Sequence, residues 1–197
     1  MTRKDVEAGT ARRPRSAIEE ALRAIAALPR AADLPQAPRR FRDDGLGAWV
    51  VPVLPGEVYV TDQREHLMTV LGSCVSTCVR NPATGAGGMN HLVLPDAQRP
   101  VRALACDGLA SLDRLLDRVL AYGGRAEQLE IKVFGGGRVI GGHTDIGRTN
   151  VAAVHDYLAS RGLAIAGSDV GGGVARRLRY EPHTGRAVIR RIVLQGT

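Results

Sequence analysis

Aromatic side chains make up only 4% of this 197-residue chain, and nowhere do they alternate with its basic residues. Single-stranded nucleic acid therefore finds no stacking platform, and no nucleic-acid partner is expected. Lysine is nearly absent as well. Lys4 and Lys132 are the only lysines among 27 basic residues, so the net charge of +7 is carried by arginine. That reads as a compositional habit rather than a binding code, although an arginine-rich surface attracts acidic partners. No stretch approaches the roughly 18–20 apolar residues of a membrane span. The charged N-terminus has no apolar segment behind it, so no secretory signal and no membrane insertion are expected. A cytoplasmic location is expected.

Cysteines are few and odd in number: Cys74, Cys78 and Cys106. A disulfide framework is not expected from such a set. There is no C-x-x-C pair, no H-E-x-x-H and no carboxylate triplet, so neither a metal nor an organic cofactor is expected. Gly135-Gly136-Gly137-Arg138-Val139-Ile140-Gly141 follows a strand pattern but lacks the dinucleotide fingerprint, which needs glycine where Ile140 stands. It reads as a loop crossing close to another backbone segment, or as the rim of an active site. His66, His143, His155 and His183 lie in polar or turn-like surroundings and read as surface or capping residues.

The chain is 44% hydrophobic and 24% charged, the balance of one globular domain. Residues 1–46 hold four of the ten prolines and read as a basic extension. One short helix is expected within it, where Ser16 and Glu19 form a capping box and Ile18, Leu22, Ile25 and Ala26 share a face. Residues 47–197 read as a single domain. Short strands are expected in 48–54, 57–61 and 67–71, then a hairpin around Asn81-Pro82-Ala83-Thr84-Gly85. A long amphipathic helix is expected over about 103–122, with Leu112, Leu115, Leu116 and Val119 on its apolar stripe. A strand at 129–134 follows, then a second helix capped by Asp145 or Thr149, a strand at 163–170 and a closing hairpin. The fold class is α+β: mixed, largely antiparallel sheet with two main helices.

Cys74 and His91 flank the first hairpin. A turn centred between Pro82 and Ala83 pairs residues whose numbers sum to 165, as 74 and 91 do, and directly opposed residues point to one face. A one-residue slip would separate them. The expectation is a thiol–imidazole pair with Cys74 as candidate nucleophile, against the plainer reading of a buried hairpin cysteine. Gly72 and Ser73 precede the thiol, where small residues permit a tight bend and leave backbone N–H groups able to hold an oxyanion. Cys78 and Cys106 read as core.

The run Leu71-Gly72-Ser73-Cys74, then Asn81-Pro82, then Gly87-Gly88-Met89-Asn90-His91, closely resembles the CheD family of chemoreceptor glutamine deamidases. The resemblance continues through Lys132-Val133-Phe134-Gly135-Gly136, Asp145-Ile146-Gly147-Arg148-Thr149-Asn150, Asp169-Val170-Gly171-Gly172 and Thr184-Gly185, and leaves residues 1–46 outside. It implies deamidation of glutamines in the signalling helices of chemoreceptors, with ammonia release and a Cys-His thioester mechanism, in chemotaxis adaptation. It implies a layered sandwich of the cysteine-hydrolase kind, with Cys74 as nucleophile and His91 as base. The family's third member is a threonine a few residues before the cysteine. A gapless alignment puts Met68 at its place, with Thr69 beside it as the candidate. The family's I-G-x-R-N reads here with the arginine moved by one. Chemoreceptor helices are the implied partner, and a CheC-type phosphatase of the response regulator is a further implied partner. The alternative is a regulatory binding module that contacts receptors or that phosphatase without catalysis.

Overall fold

The computed structural model describes residues 39–92, 102–139 and 145–192, with side chains from residue 108 in the second segment. The helix expected after Ser16, the side chain of Cys106 and His143 lie outside the described residues.

Among the described residues ten strands form two mixed five-stranded sheets, and two α-helices complete the α+β fold. One sheet orders β1 (Phe41–Asp43), β2 (Ala48–Pro52), β4 (Glu65–Leu71), β9 (Ala175–Glu181) and β10 (Arg186–Ile192). We call it the outer sheet. The central sheet orders β3 (Val58–Thr61), β6 (Gly87–Asn90), β5 (Val75–Arg80), β7 (Glu130–Gly135) and β8 (Ile165–Val170). Among the described strands only the β2–β4 and β7–β8 pairs run parallel. Strand β1 lies upstream of Gly47, inside the stretch read as an extension, and pairs antiparallel with β2.

Helices α1 (Arg102–Leu120) and α2 (Ile146–Ser160) supply Leu112, Leu115, Leu116, Val119, Val154 and Leu158 to a core shared with the central sheet. Burying side chains of this size contributes about 1.5–3 kcal/mol each. A second core joins the two sheets through Val51, Leu67, Leu71, Cys78, Met89, Phe134, Leu178 and Tyr180. The alternation of β5 explains the layering. Val75 and Val79 meet the helices, whereas Cys74 and Cys78 meet the outer sheet. Asp145 caps α2, its carboxylate accepting the Arg148 N–H at 3.0 Å, while Thr149 lies inside the helix.

The hairpin register corrects the expected pairing. Cys78 pairs with Met89 and Arg80 with Gly87, so paired numbers sum to 167. The loop closes on Asn81 and Ala86: Asn81 N–H donates to Ala86 O at 2.8 Å, and Gly85 N–H donates to Asn81 O at 2.9 Å. The turn is thus centred between Ala83 and Thr84, fixed by the Asn81 side chain accepting the Ala83 N–H at 2.9 Å. A two-residue displacement keeps every side chain on its face. Cys74 and His91 therefore share a face as expected but stand diagonally, not directly opposed.

Candidate active site

Leu71 ends β4, and the chain turns through Gly72 and Ser73 to deliver Cys74 immediately before β5. Gly72 was expected to give conformational freedom; the structure shows that it supplies space. A Cβ there would lie 2.8 Å from Val139 Cγ2. Three successive carbonyls of this turn are held. Gly72 O accepts the Gly137 N–H at 2.8 Å, and Cys74 O accepts the Gly136 N–H at 2.8 Å. Between them Ser73 O accepts Asn150 Nδ2 at 2.8 Å. In a trans peptide the N–H points opposite to the preceding C=O. With those carbonyls tied toward the glycine loop and α2, the N–H groups of Ser73 and Cys74 face the other way. The glycine loop is thus a close backbone crossing at the rim of the candidate site. At Gly135 a Cβ would fall 2.2 Å from Cys74 O.

The turn 169–174 buttresses the loop from behind. Gly171 N–H donates to Gly135 O at 2.9 Å, and Arg138 N–H to Gly172 O at 2.7 Å. Arg176, only 2% exposed, reaches Asp169 Oδ1 through Nε at 3.0 Å and Nη2 at 2.8 Å, and Gly171 O through Nη2 at 2.7 Å. Burial alone would raise the Asp169 carboxyl, but hydrogen bonds from Arg176 and Arg191 hold it below its ordinary 3.8.

His91 follows β6 in a local interruption of the ladder. Val75 and Leu92 exchange both backbone hydrogen bonds, at 3.1 and 2.8 Å. The next such exchange would join Thr77 and Asn90. Instead Thr77 N–H donates to the Asn90 side chain at 2.7 Å, and Asn90 O accepts the Ser76 hydroxyl at 2.6 Å. Asn90 Nδ2 donates to Ser111 Oγ of α1 at 2.8 Å. The buried asparagine thus substitutes a side-chain carbonyl for a backbone one and fixes the strand that carries His91.

Across the interface, β4 of the outer sheet brings Thr69 to the imidazole. Thr69 Oγ1 lies 2.8 Å from His91 Nδ1 and 2.8 Å from Val53 O. The hydroxyl's one proton goes to the Val53 carbonyl, so Oγ1 accepts from His91 Nδ1–H, and the imidazole is protonated at Nδ1. Nε2 is left as the bare nitrogen; it is buried and has no hydrogen-bond partner among the described residues. Met68 pairs with Arg179 on the opposite face of β4, while Thr69 pairs with Leu178 facing the core. Strand alternation therefore brings Thr69, not Met68, to His91.

Burial pushes the Cys74 thiol above its ordinary 9.0, opposed in part by its own main-chain N–H. Burial also lowers His91 below 6.5, against hydrogen bonding to Val53 and the Glu57 charge, which raise it. Both shifts favour the uncharged forms of two groups that share a face. Cys78 is fully buried and belongs to the core, as expected. Among the described residues no three His, Cys, Asp or Glu side chains converge as metal ligands, and no helix is long and apolar enough to cross a membrane. Asn90, Asn150 and the Val53 carbonyl were not singled out from sequence as site residues. The two asparagines stand in the motifs Met89-Asn90-His91 and Ile146-Gly147-Arg148-Thr149-Asn150; nothing local marks the carbonyl.

A layered α+β sandwich with a half-buried thiol, a threonine-tethered imidazole and aligned backbone N–H groups defines a site suited to cysteine-dependent amide hydrolysis. Comparison with known proteins narrows the class. Residues 93–191 match the family described as CheD chemotactic sensory transduction. A protein of Halorhodospira halophila named "Probable chemoreceptor glutamine deamidase CheD" is 42% identical over 156 residues, covering 75% of this chain and 72% of its own. A protein of that name from Rhodopseudomonas palustris is 43% identical over 162 residues, covering 80% and 76%. One from Hydrogenovibrio crunogenus is 40% identical over 155 residues, covering 76% and 81%. The chain belongs to the CheD family.

Proposed function

We propose that this protein deamidates glutamine side chains of chemoreceptor signalling helices, with Cys74 as nucleophile, His91 as acid–base and Thr69 as the residue that orients His91. The observation that carries the reading is the Thr69–His91 contact. It frees Nε2 as the base on the face that holds the thiol, as a hydrolase needs and a binding module does not.

His91 Nε2 takes the thiol proton as Cys74 Sγ bonds to the γ-carboxamide carbon. The carbonyl electron pair moves to oxygen, and the N–H groups of Ser73 and Cys74 stabilise it. Collapse breaks the C–N bond, the imidazolium gives its proton to the departing ammonia, and a thioester remains. Water then attacks the thioester, giving a proton to Nε2, and the thiol leaves reprotonated. The product is a glutamate. No cofactor enters the scheme. Burial raises the thiol and lowers the imidazole, which favours a His91 that takes the proton during attack.

The test is ammonia release with a one-dalton mass gain from a receptor signalling domain. Wild-type activity and its absence in Cys74→Ala are expected. A folded wild-type protein inactive toward several receptor domains would overturn the reading.

Two further outcomes follow from the geometry. Thr69→Val keeps the shape but removes the nearer acceptor for Nδ1–H, leaving Val53 O at 3.3 Å; kcat is expected to fall about 10–100-fold, at or below the low end of acid–base contributions because the base itself remains. Met68→Leu, on the opposite face, should leave kcat unchanged, and equal losses in both variants would contradict Thr69 as the orienting residue. The pH profile gives an independent check. With His91 held below 6.5, kcat/KM should persist as pH falls past that value and decline only further down. An acidic limb centred above pH 7 would be inconsistent with a buried neutral imidazole as the base.

A further inference from the structure

The three carbonyls of the nucleophile turn are not held alike. Gly72 O and Cys74 O are held by main-chain N–H groups, those of Gly137 and Gly136. Ser73 O is held by a side chain, Asn150 Nδ2 of α2, at 2.8 Å. The difference falls on one peptide group. Ser73 C=O and Cys74 N–H belong to the same planar unit and point in opposite directions. Asn150 therefore sets the direction of the Cys74 N–H, as Gly137 sets that of the Ser73 N–H. Among the described residues neither N–H donates to a main-chain carbonyl. The Cys74 N–H lies beside its own thiol, where it favours the thiolate, so it faces the reacting side.

Asn150 is 2% exposed, and its Oδ1 is buried without a hydrogen-bond partner among the described residues. A buried acceptor left unmet costs stability, so what the amide contributes here is its Nδ2 donor. Its reach to Ser73 depends on a close approach of α2. At Gly147, three residues earlier on the helix, a Cβ would fall 2.4 Å from Gly136 O.

We propose that Asn150 is a positioning residue for the oxyanion: by tethering Ser73 O it aims the Cys74 N–H at the oxygen that gains charge when the thiol attacks. This deepens the deamidase reading and rests on it. A donor aimed in advance stabilises the developing charge without reorganising at the moment of reaction. Asn150 acts through the Ser73–Cys74 peptide rather than on the substrate, so its loss should lower kcat and spare KM. It should also spare reactions of the thiol in which no oxyanion forms.

Asn150→Leu keeps the size of the side chain and removes the donor. Asn150→Ala removes it without filling the space, and both variants are measured. Three readings separate aim from structure. The first is kcat and KM on a receptor signalling domain. The second is alkylation of Cys74 by iodoacetamide, read at that residue by peptide mass. There the thiolate displaces iodide, and no carbonyl oxygen gains charge. The third is protection from alkylation by butyraldehyde, which has the carbon chain of glutamine from Cα outward. Its carbonyl carbon bonds to Cys74 Sγ and the thiol proton passes to the oxygen, giving a hemithioacetal with its oxygen at the oxyanion position.

In both variants kcat is expected to fall about 30-fold, less than the roughly 10²–10³-fold of a donor removed outright, with KM and the alkylation rate within about threefold of wild type. The butyraldehyde Kd should rise by a similar factor to the fall in kcat. Val154→Ala, in the buried core one turn further along α2, should lower the melting temperature and leave kcat and that Kd unchanged. An unchanged kcat in both variants, an alkylation rate that falls with kcat, or an equal loss in Val154→Ala overturns the positioning role. A wild type inactive toward several receptor domains, but with a butyraldehyde affinity that depends on Asn150, overturns the deamidase reading and supports the positioning role. An inactive wild type whose butyraldehyde affinity ignores Asn150 overturns both.

Discussion

Replacing His91 by glutamine is expected to lower kcat/KM for deamidation about 10³-fold, the scale of losing a general base that acts in both halves of a reaction. Glutamine can still bond to Thr69 but carries no proton that titrates near neutrality. The loss should therefore be in kcat, with folding retained in a circular-dichroism melt. A rate within tenfold of wild type would show that another group accepts the thiol proton. The substitution also has a consequence for stability. The folded imidazole is held below its ordinary 6.5 by burial, so below that pH the unfolded chain binds the proton more readily than the folded one. Stability from this group is full above pH 6.5 and declines as pH falls toward the folded value. In His91→Gln that decline should be absent, so wild-type and variant melting curves converge or cross on acidification.

The second large effect is expected at Gly136. Its φ is +65°, in the left-handed region, and a Cβ there would lie 2.2 Å from Val151 Cγ2 and 2.9 Å from Gly147 O. Gly136→Ala therefore meets both backbone strain and overpacking against α2. Together these cost about 3 kcal/mol, and the strain moves the N–H that holds Cys74 O. Urea unfolding should show the lost stability, and deamidation should fall further than the population of folded protein explains. Gly162 provides the contrast. Its φ is +67°, but nothing lies within 4 Å of its Cβ position, so Gly162→Ala meets the backbone term alone, about 1 kcal/mol. It should keep full activity. Equal effects at the two glycines would mean that crowding against α2 does not hold the nucleophile turn.

Much of the scaffold was legible in sequence because it rests on local chemistry. Apolar-rich runs marked β4 and β5, the Leu112–Val119 stripe marked α1, and Asp145, one of two candidate caps, marked the start of α2. Asn81 to Gly85 marked the hairpin, since proline and a left-handed glycine leave the chain few ways to turn. The register was less legible. The Asn81 side chain captures the Ala83 N–H, and Asn81 pairs with Ala86, which moves the turn centre by one residue and the pairing by two. That preserved the shared face of Cys74 and His91 while making them diagonal neighbours.

The identity of the third site residue shows where sequence stops. Aligned without gaps, Met68 takes the family's position, and nothing local prefers Thr69. The choice is made by β9, whose pairing with β4 turns Leu67, Thr69 and Leu71 inward, and by the packing of one sheet on the other. Thr69 belongs to the outer sheet and His91 to the central one, so their contact is set by neither strand alone. The same holds for Asn150 and Ser73, 77 residues apart, and for Arg138 and the turn at 172. By itself the sequence determined the elements from β2 onward, the fold class and the thiol–imidazole candidates, because those follow from periodicity, turn chemistry and residue type. Only the tertiary structure decided which hydroxyl meets the imidazole and what grips the Cys74 turn, because those contacts exist only once two sheets and a helix have packed together.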